Sequence, residues 1–247
     1  MESLVYVFDP LCGWCNGFHP HLRHVAKQTG LPVTAVSGGL FRGERVLPVA
    51  AYPFIAGTMD DLERKTGVKF GPAWRAAATK GDYVVDSAAA GRAFVALRHL
   101  APTRAVDIAG ALHEAVFVHA LDLREPTGVA WAARQLGLDE GQAIARFLRE
   151  ECVAEAADDV DATHHLGVTG FPCVILVRDG HGFVVAQGFT PAADVLKHIA
   201  DARARPLPHE DGGQATSGHA HDRGHAHGHG HEHGGHGHQH GPGCNHH

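Results

Sequence analysis

The sequence predicts an α/β protein with a long helical block set into its middle. Three observations carry this: a strand–helix–strand pattern at the start, helical periodicity from Thr58 to His165, and a strand–strand–helix pattern from Val174 to about Ala204. Leu4-Val5-Tyr6-Val7-Phe8 is a continuous apolar run of strand length and reads as a buried strand. From Cys12 to about Gln28, Phe18, Leu22, Val25 and Ala26 share one helical face; Pro20 should kink that helix, and Gly30 suits its C-terminal cap. Leu31–Ser37 is a second strand ending in the turn-like Gly38-Gly39, and parallel pairing across the helix would make a right-handed βαβ unit.

In the helical block, Thr58, Ser87, Thr103, Thr127 and Asp139 each stand before a periodic apolar segment and offer N-caps. Helices follow over roughly 95–101, 104–121, 128–136 and 140–156. Val174–Val177 and Gly182–Ala186 then flank Arg178-Asp179-Gly180-His181, a hairpin signal. Thr190-Pro191 opens a last helix, with Pro at the first helical position. The whole is a thioredoxin fold whose βαβ and ββα halves are separated by a helical insertion at about 55–165.

The composition changes near residue 208. Residues 1–208 read as one domain, whereas 209–247 contain no Leu, Ile, Val, Met, Phe, Tyr or Trp and are dominated by Gly and His. Such a tail cannot bury enough apolar area to offset its ordering entropy, so it is expected to be disordered.

A net charge of −6, with no Lys/Arg-rich block, argues against a nucleic-acid partner. No apolar stretch is long enough to span a bilayer, so no membrane partner is expected. Met1-Glu2-Ser3 leads straight into the first strand without a basic region or cleavage site, which predicts a cytoplasmic protein without a signal peptide.

The five cysteines stand at positions 12, 15, 152, 173 and 244, and only the first two have informative spacing. Cys12-Gly13-Trp14-Cys15 at a strand-to-helix junction can close a small disulfide ring, and the free N–H groups of a helix start can hold its first cysteine as an exposed, reactive thiolate, with Cys15 one turn in and more buried. A C-x-x-C near a βαβ pattern reads as a thioredoxin-like redox motif. A structural zinc site would need a second ligand pair at matching spacing, which the predicted domain lacks. Gly170-Phe171-Pro172, followed by the apolar run Cys173-Val174-Ile175-Leu176-Val177, supplies the proline with which that fold shapes its substrate groove.

This order, with Asp9-Pro10-Leu11-Cys12-Gly13-Trp14-Cys15 and Gly167-Val168-Thr169-Gly170-Phe171-Pro172, resembles the DsbA-like family of thiol–disulfide oxidoreductases. Within that family it is most similar to the cytoplasmic, protein-disulfide-isomerase-like branch, over about residues 3–205. The resemblance implies that Cys12 is the nucleophile, Cys15 the resolving thiol and Pro172 a cis-proline, with Phe171 offering its backbone to an extended substrate. It implies no cofactor for catalysis, protein disulfides as substrates, and a thiol electron donor such as glutathione or the thioredoxin system. Two departures matter. Gly13-Trp14 replaces the Pro-His of strongly oxidising relatives, removing an imidazolium from between the cysteines, and Cys173 stands where relatives carry Thr. Together with the missing leader they favour a reductase or isomerase over an oxidase.

The neighbouring residues each have a plain reading as well. Trp14 either lines a substrate groove or covers the disulfide, and Asp9 is read as a turn former before a proton carrier for Cys15. Cys173 is expected to be a buried small hydrophobe, and Cys152 a core residue beside Leu148 and Val153. Trp74, Phe41 and Phe171 fit either an apolar rim or plain core. His99, His113 and His119 read as structural, with His164-His165 a weak candidate for influencing the thiolate. In the tail, His219, His221, His225, His227, His229, His231, His233, His236, His238 and His240 have the H-x-H character that lets neighbouring imidazoles reach one Ni, Cu or Zn ion. Two rival functions follow: a metal-handling protein with a redox domain, or a glutathione-dependent transferase or isomerase of the kappa type, against which Cys15 speaks.

Overall fold

The computed structural model describes residues 1–207, so the ten histidine ligands expected between His219 and His240 lie outside the described residues. In chain order the elements begin with β1 (Glu2–Phe8), α1 (Gly13–Thr29) and β2 (Val33–Ser37). There follow the short β3 (Leu47–Pro48), α2 (Pro53–Gly57), α3 (Met59–Thr66), α4 (Pro72–Lys80), β4 (Val84–Val85) and α5 (Ser87–Leu100). Then come α6 (Ala105–Phe117), α7 (Pro126–Gln135), α8 (Glu140–Phe147) and α9 (Glu150–His165). The chain returns to the sheet with β5 (Cys173–Arg178) and β6 (His181–Gln187) and closes with α10 (Ala192–Ala204).

The main sheet has the order β2-β1-β5-β6. β1 runs parallel to β2, from Leu4↔Val33 to Phe8↔Ser37, and antiparallel to β5, with Val7 opposite Cys173. As one of the two central strands it is covered on both faces. Leu4, Tyr6 and Phe8 enter the main core, while Val7 packs with Val168, Cys173 and Ile175 on the other side. That two-sided burial is why its sequence is continuously apolar rather than alternating.

α1 follows because Cys15, Phe18, Leu22 and Val25 recur at helical spacing and are all fully buried. It runs through Pro20 on its exposed side and ends where Gly30, at φ 64°, closes a left-handed cap onto the Ala26 carbonyl. At the other end of the chain, Arg178 donates to the carbonyls of Ala202, Arg203 and Arg205, fastening the end of α10 to β5.

The structure corrects several sequence expectations. Of the five proposed caps, Asp139 works as expected, accepting from the Gln142 amide at 2.7 Å. Asp86 rather than Ser87 caps α5, accepting from Ala88 and Ala89, while the Ser87 hydroxyl accepts from the Phe41 amide at 2.8 Å. Thr58 is the N-cap residue of α3, but its hydroxyl donates back to the Phe54 carbonyl; α6 starts after Arg104, and α7 starts at Pro126 ahead of Thr127. The helix expected from 95 starts at Ser87 because its first turns are built from small buried residues, Ala90 and Gly91, which give no strong apolar period. The single helix expected over 140–156 is two. The buried stripe Ala143, Phe147 slips by five residues to Cys152, Ala156 and Val160, and extended Arg149 makes the break that lets α8 and α9 both pack on α5. Pro191 is the N-cap of α10 rather than its first residue. The β3–β4 pair and the short α2 and α4 had no clear signature in the sequence.

Candidate active site

The site forms where β1 ends, α1 begins and the segment before β5 crosses them. Asp9, fully buried, anchors the turn. One carboxylate oxygen accepts from the Leu11 amide at 2.8 Å and the other from the Leu40 amide at 2.7 Å, tying the β1–α1 turn to the chain beyond β2. Burial raises the affinity of this carboxyl for its proton, and those backbone bonds oppose the rise. The Asp9 carbonyl in turn accepts from the Cys12 amide at 3.0 Å and lies 3.3 Å from Nε2 of His113. These contacts agree with the reading of Asp9 as a turn former.

Cys12 is the N-cap of α1 in extended conformation, so its sulfur stands at the positive end of the helix dipole. No acidic residue occupies the first turn to compete for that field. Its Sγ lies 3.9 Å from the Phe171 carbonyl, and the Phe171–Pro172 bond is cis. Gly38 makes room for the Phe171 ring, since a Cβ there would sit 2.0 Å from it. The expectation of an exposed thiol is corrected: Cys12 is only 5% exposed. The proline loop covers one side of it and an apolar cleft lies on the other, and both come from segments remote in sequence.

Cys15 is one turn into α1 and fully buried. Burial is the main reason its thiol holds its proton far more tightly than usual, and the neighbouring Cys12 adds to it. Both cysteines are free thiols here, so a first thiol that borders the cleft and a second one with no exposed surface share a single helix turn. Beneath the pair stands Tyr6, also fully buried, whose hydroxyl borders the Cys15 sulfur. Sequence reasoning missed it; strand alternation puts Tyr6 on the same face as Leu4 and Phe8, which was the available signal.

The cleft beside Cys12 holds about 150 Å³ and is lined by Trp14, Leu40, Phe41, Met59, Leu62, Phe70 and Trp74 among others. Half-exposed Phe54 stands at its rim. Trp14 therefore lines a groove, with the Lys65 ammonium 5.8 Å over its ring, and Phe41 and Trp74 belong to that groove's wall while also being core. Glu63 braces the wall: it accepts from the Phe70 amide, Lys69 and Arg75, and the Phe70 amide foremost holds its carboxyl down at about 2.

The other candidates take structural places. Cys173 is buried on the far face of the sheet, where desolvation lifts its thiol to about 11. Cys152 is buried, although its neighbours Leu148 and Val153 are exposed. His99 contacts Glu155 at 2.8 Å, His119 packs on Trp131, and His164 and His165 are exposed at the end of α9. Buried His113 is held neutral by desolvation, down at about 3, and its ring faces His19 at 6.0 Å. Among the described residues, no group of three or more His, Cys, Asp or Glu could hold a metal ion, and no helix is long and apolar enough to cross a membrane.

Residues 3–200 match the family described as DSBA-like thioredoxin domain. Among solved structures, the chain is similar to the cytosolic disulfide reductase DsbM from Pseudomonas aeruginosa, at 27% identity and a TM-score of 0.69, covering 81% of this chain and 98% of that one. The same protein solved with GSH aligns at 26% identity and a TM-score of 0.67, covering 81% and 99%. The oxidoreductase DsbA from Xylella fastidiosa shares the fold at 15% identity and a TM-score of 0.52, covering 83% and 87%. Among curated proteins nothing matches.

Proposed function

Because the chain belongs to the DSBA-like thioredoxin-domain family of thiol–disulfide oxidoreductases, we propose that it acts as a reductase or isomerase on protein disulfides through Cys12 and Cys15. The observation that carries the reading is the asymmetry of the pair: Cys12 at a helix N-terminus between the Phe171 carbonyl and an apolar cleft, Cys15 sealed behind it.

The Cys12 thiolate attacks one sulfur of a substrate disulfide, and the other sulfur leaves as a thiolate that takes up a proton. Cys15 then attacks the Cys12 sulfur, closing the Cys12–Cys15 disulfide and releasing the second substrate sulfur as a thiol. The substrate gains two electrons and the pair loses two. A thiol donor restores the dithiol, and a relative solved with GSH supports glutathione for that role. Where a substrate thiol resolves the mixed disulfide before Cys15 does, the outcome is isomerisation. The apolar wall suits unfolded clients, whose disulfides are flanked by exposed hydrophobic side chains. The cytosolic relative supports a cytoplasmic setting, where such a protein works as a reductant.

The His-rich segment 209–247 adds a second element to the proposal: a module for Ni, Cu or Zn, separate from the redox step. The redox step itself needs no metal or other cofactor.

The test is the equilibrium potential of the Cys12/Cys15 couple in a glutathione buffer, with reduction of an insulin-type substrate alongside. Trp14 offers no charge to stabilise the reduced thiolate, so the expected potential is roughly −250 to −180 mV. A potential near −120 mV, the oxidase end of the scale, would overturn the direction proposed.

A further inference from the structure

We propose that Tyr6 is a catalytic residue of the second half-reaction, donating a hydrogen bond from its hydroxyl to the Cys15 sulfur as that thiol gives up its proton. The inference rests on the thiol–disulfide reading above and adds to it a third side chain that touches a reacting atom. Tyr6 lies on β1 with its ring stacked on Phe8, centroids 5.0 Å apart and planes 13° from parallel. It is fully buried, and its hydroxyl makes no well-formed hydrogen bond among the described residues. A phenylalanine would fill the same space, so packing alone gives no reason for the hydroxyl. Enclosing an unsatisfied hydroxyl costs stability, and such groups call for an explanation.

The explanation is the polar group it borders, the sulfur of Cys15. A neutral thiol is a weak acceptor, whereas a thiolate is a strong one. The contact therefore gains its strength only when Cys15 ionises, which is the event that resolution of the mixed disulfide requires. Apo hydrogen bonds of this kind are often loose until charge develops. Desolvation keeps the phenol protonated, so Tyr6 acts as a donor and never as the base.

The proton account closes without an outside partner. In the mixed disulfide the Cys12–substrate S–S bond breaks, the Cys12–Cys15 S–S bond forms, and the proton lost by Cys15 ends on the departing substrate thiolate. Tyr6 keeps its own proton and shares it only as a hydrogen bond. The other groups facing Cys15 are Cys12 on its own helix and Asp9 beyond β1, with His113 of α6 reaching the Asp9 carbonyl. His113 is held near 3, so it does not change charge in the alkaline range where a buried thiol ionises. Burial raises Asp9 and the Leu40 and Leu11 amides oppose the rise; Tyr6→Phe leaves those bonds in place, so Asp9 acts alike on parent and variant.

Tyr6→Phe tests this in two settings. In the otherwise intact protein, rapid-mixing kinetics with a small disulfide should show capture by Cys12 unchanged. Resolution by Cys15 should be slower by about tenfold, the loss expected of one charge-assisted hydrogen bond, with its pH profile displaced to higher pH. In a Cys12→Ser background, titration of Cys15 followed by its 13Cβ chemical shift should move to higher pH on adding Tyr6→Phe. That second arm needs no substrate, so it separates failure of this inference from failure of the redox reading. The thermal midpoint should be equal to or above that of the parent, since an unsatisfied hydroxyl has been removed. An unchanged Cys15 titration, or slowed resolution with an unmoved pH profile and a lowered midpoint, would make Tyr6 a packing residue and overturn the proposal.

Discussion

The two cysteines differ by position on the helix and by contact with the cleft more than by any neighbouring charge. Cys12 has the helix N-terminus, and Cys15 has walls on every side. Cys12→Ser should therefore abolish turnover, whereas Cys15→Ser should leave the first attack intact and trap mixed disulfides, visible as substrate adducts by intact mass. Adducts accumulating on Cys12→Ser instead would reverse the two roles. The pair and Pro172 were legible from the sequence because C-x-x-C at a strand–helix junction, and Pro ahead of a strand, are local patterns. Tyr6 was not, because its importance comes from an unsatisfied hydroxyl, a property of three-dimensional enclosure. The enclosure of Cys12 was equally hidden: Phe171 is 159 positions away in sequence.

Among the elements, α3 and α4 decide the shape of the cleft, since Met59 and Leu62 come from one while Trp74 comes from the other and Phe70 from the turn between them. Glu63 holds them together through the Phe70 amide at 2.8 Å, Lys69 at 3.0 Å and Arg75 at 2.7 Å. Its carboxyl is pulled from an ordinary 4.5 to about 2, so the clamp contributes fully above pH 4.5 and is lost as pH falls toward 2. Fluorescence of the cleft tryptophans Trp14 and Trp74 should report a loosening across that window. Glu63→Gln should remove Glu63's share of the acid response and cost about 1 kcal/mol at neutral pH. Acid profiles that superimpose for parent and variant would show that this carboxylate does not brace the wall. No local pattern announces the clamp, because Glu63 and Arg75 are joined through a turn with no periodic signal. The split between α8 and α9 was readable in principle, as the five-residue slip from Phe147 to Cys152; what obscured it was an uninterrupted run of helix-forming residues.

At the scale of the molecule, the order strand–helix–strand, helices, strand–strand–helix was legible because each half of the sheet is local and strongly apolar. Its joining was not, since β5 finds β1 only across the whole helical block. Residues 1–207 form one compact unit, and the change of composition near residue 208 falls at its end. That unit accounts for its own histidines: His99 contacts Glu155, His113 and His19 are enclosed, and no cluster of three ligands forms among the described residues. Thirteen of the 23 histidines lie at or beyond His209. Metal uptake should therefore follow that segment and disulfide reduction should not. Calorimetric titration with Ni or Zn should show several loose sites on the full chain and almost none after removal of residues 209–247, while insulin-type reduction keeps its original rate. Binding should fade as pH drops through about 6.5, where imidazole gains a proton and loses its ligand lone pair. If the shortened chain binds as many ions as the full one, or loses reductase activity in metal-free buffer, the two functions are not separable in the way their compositions imply.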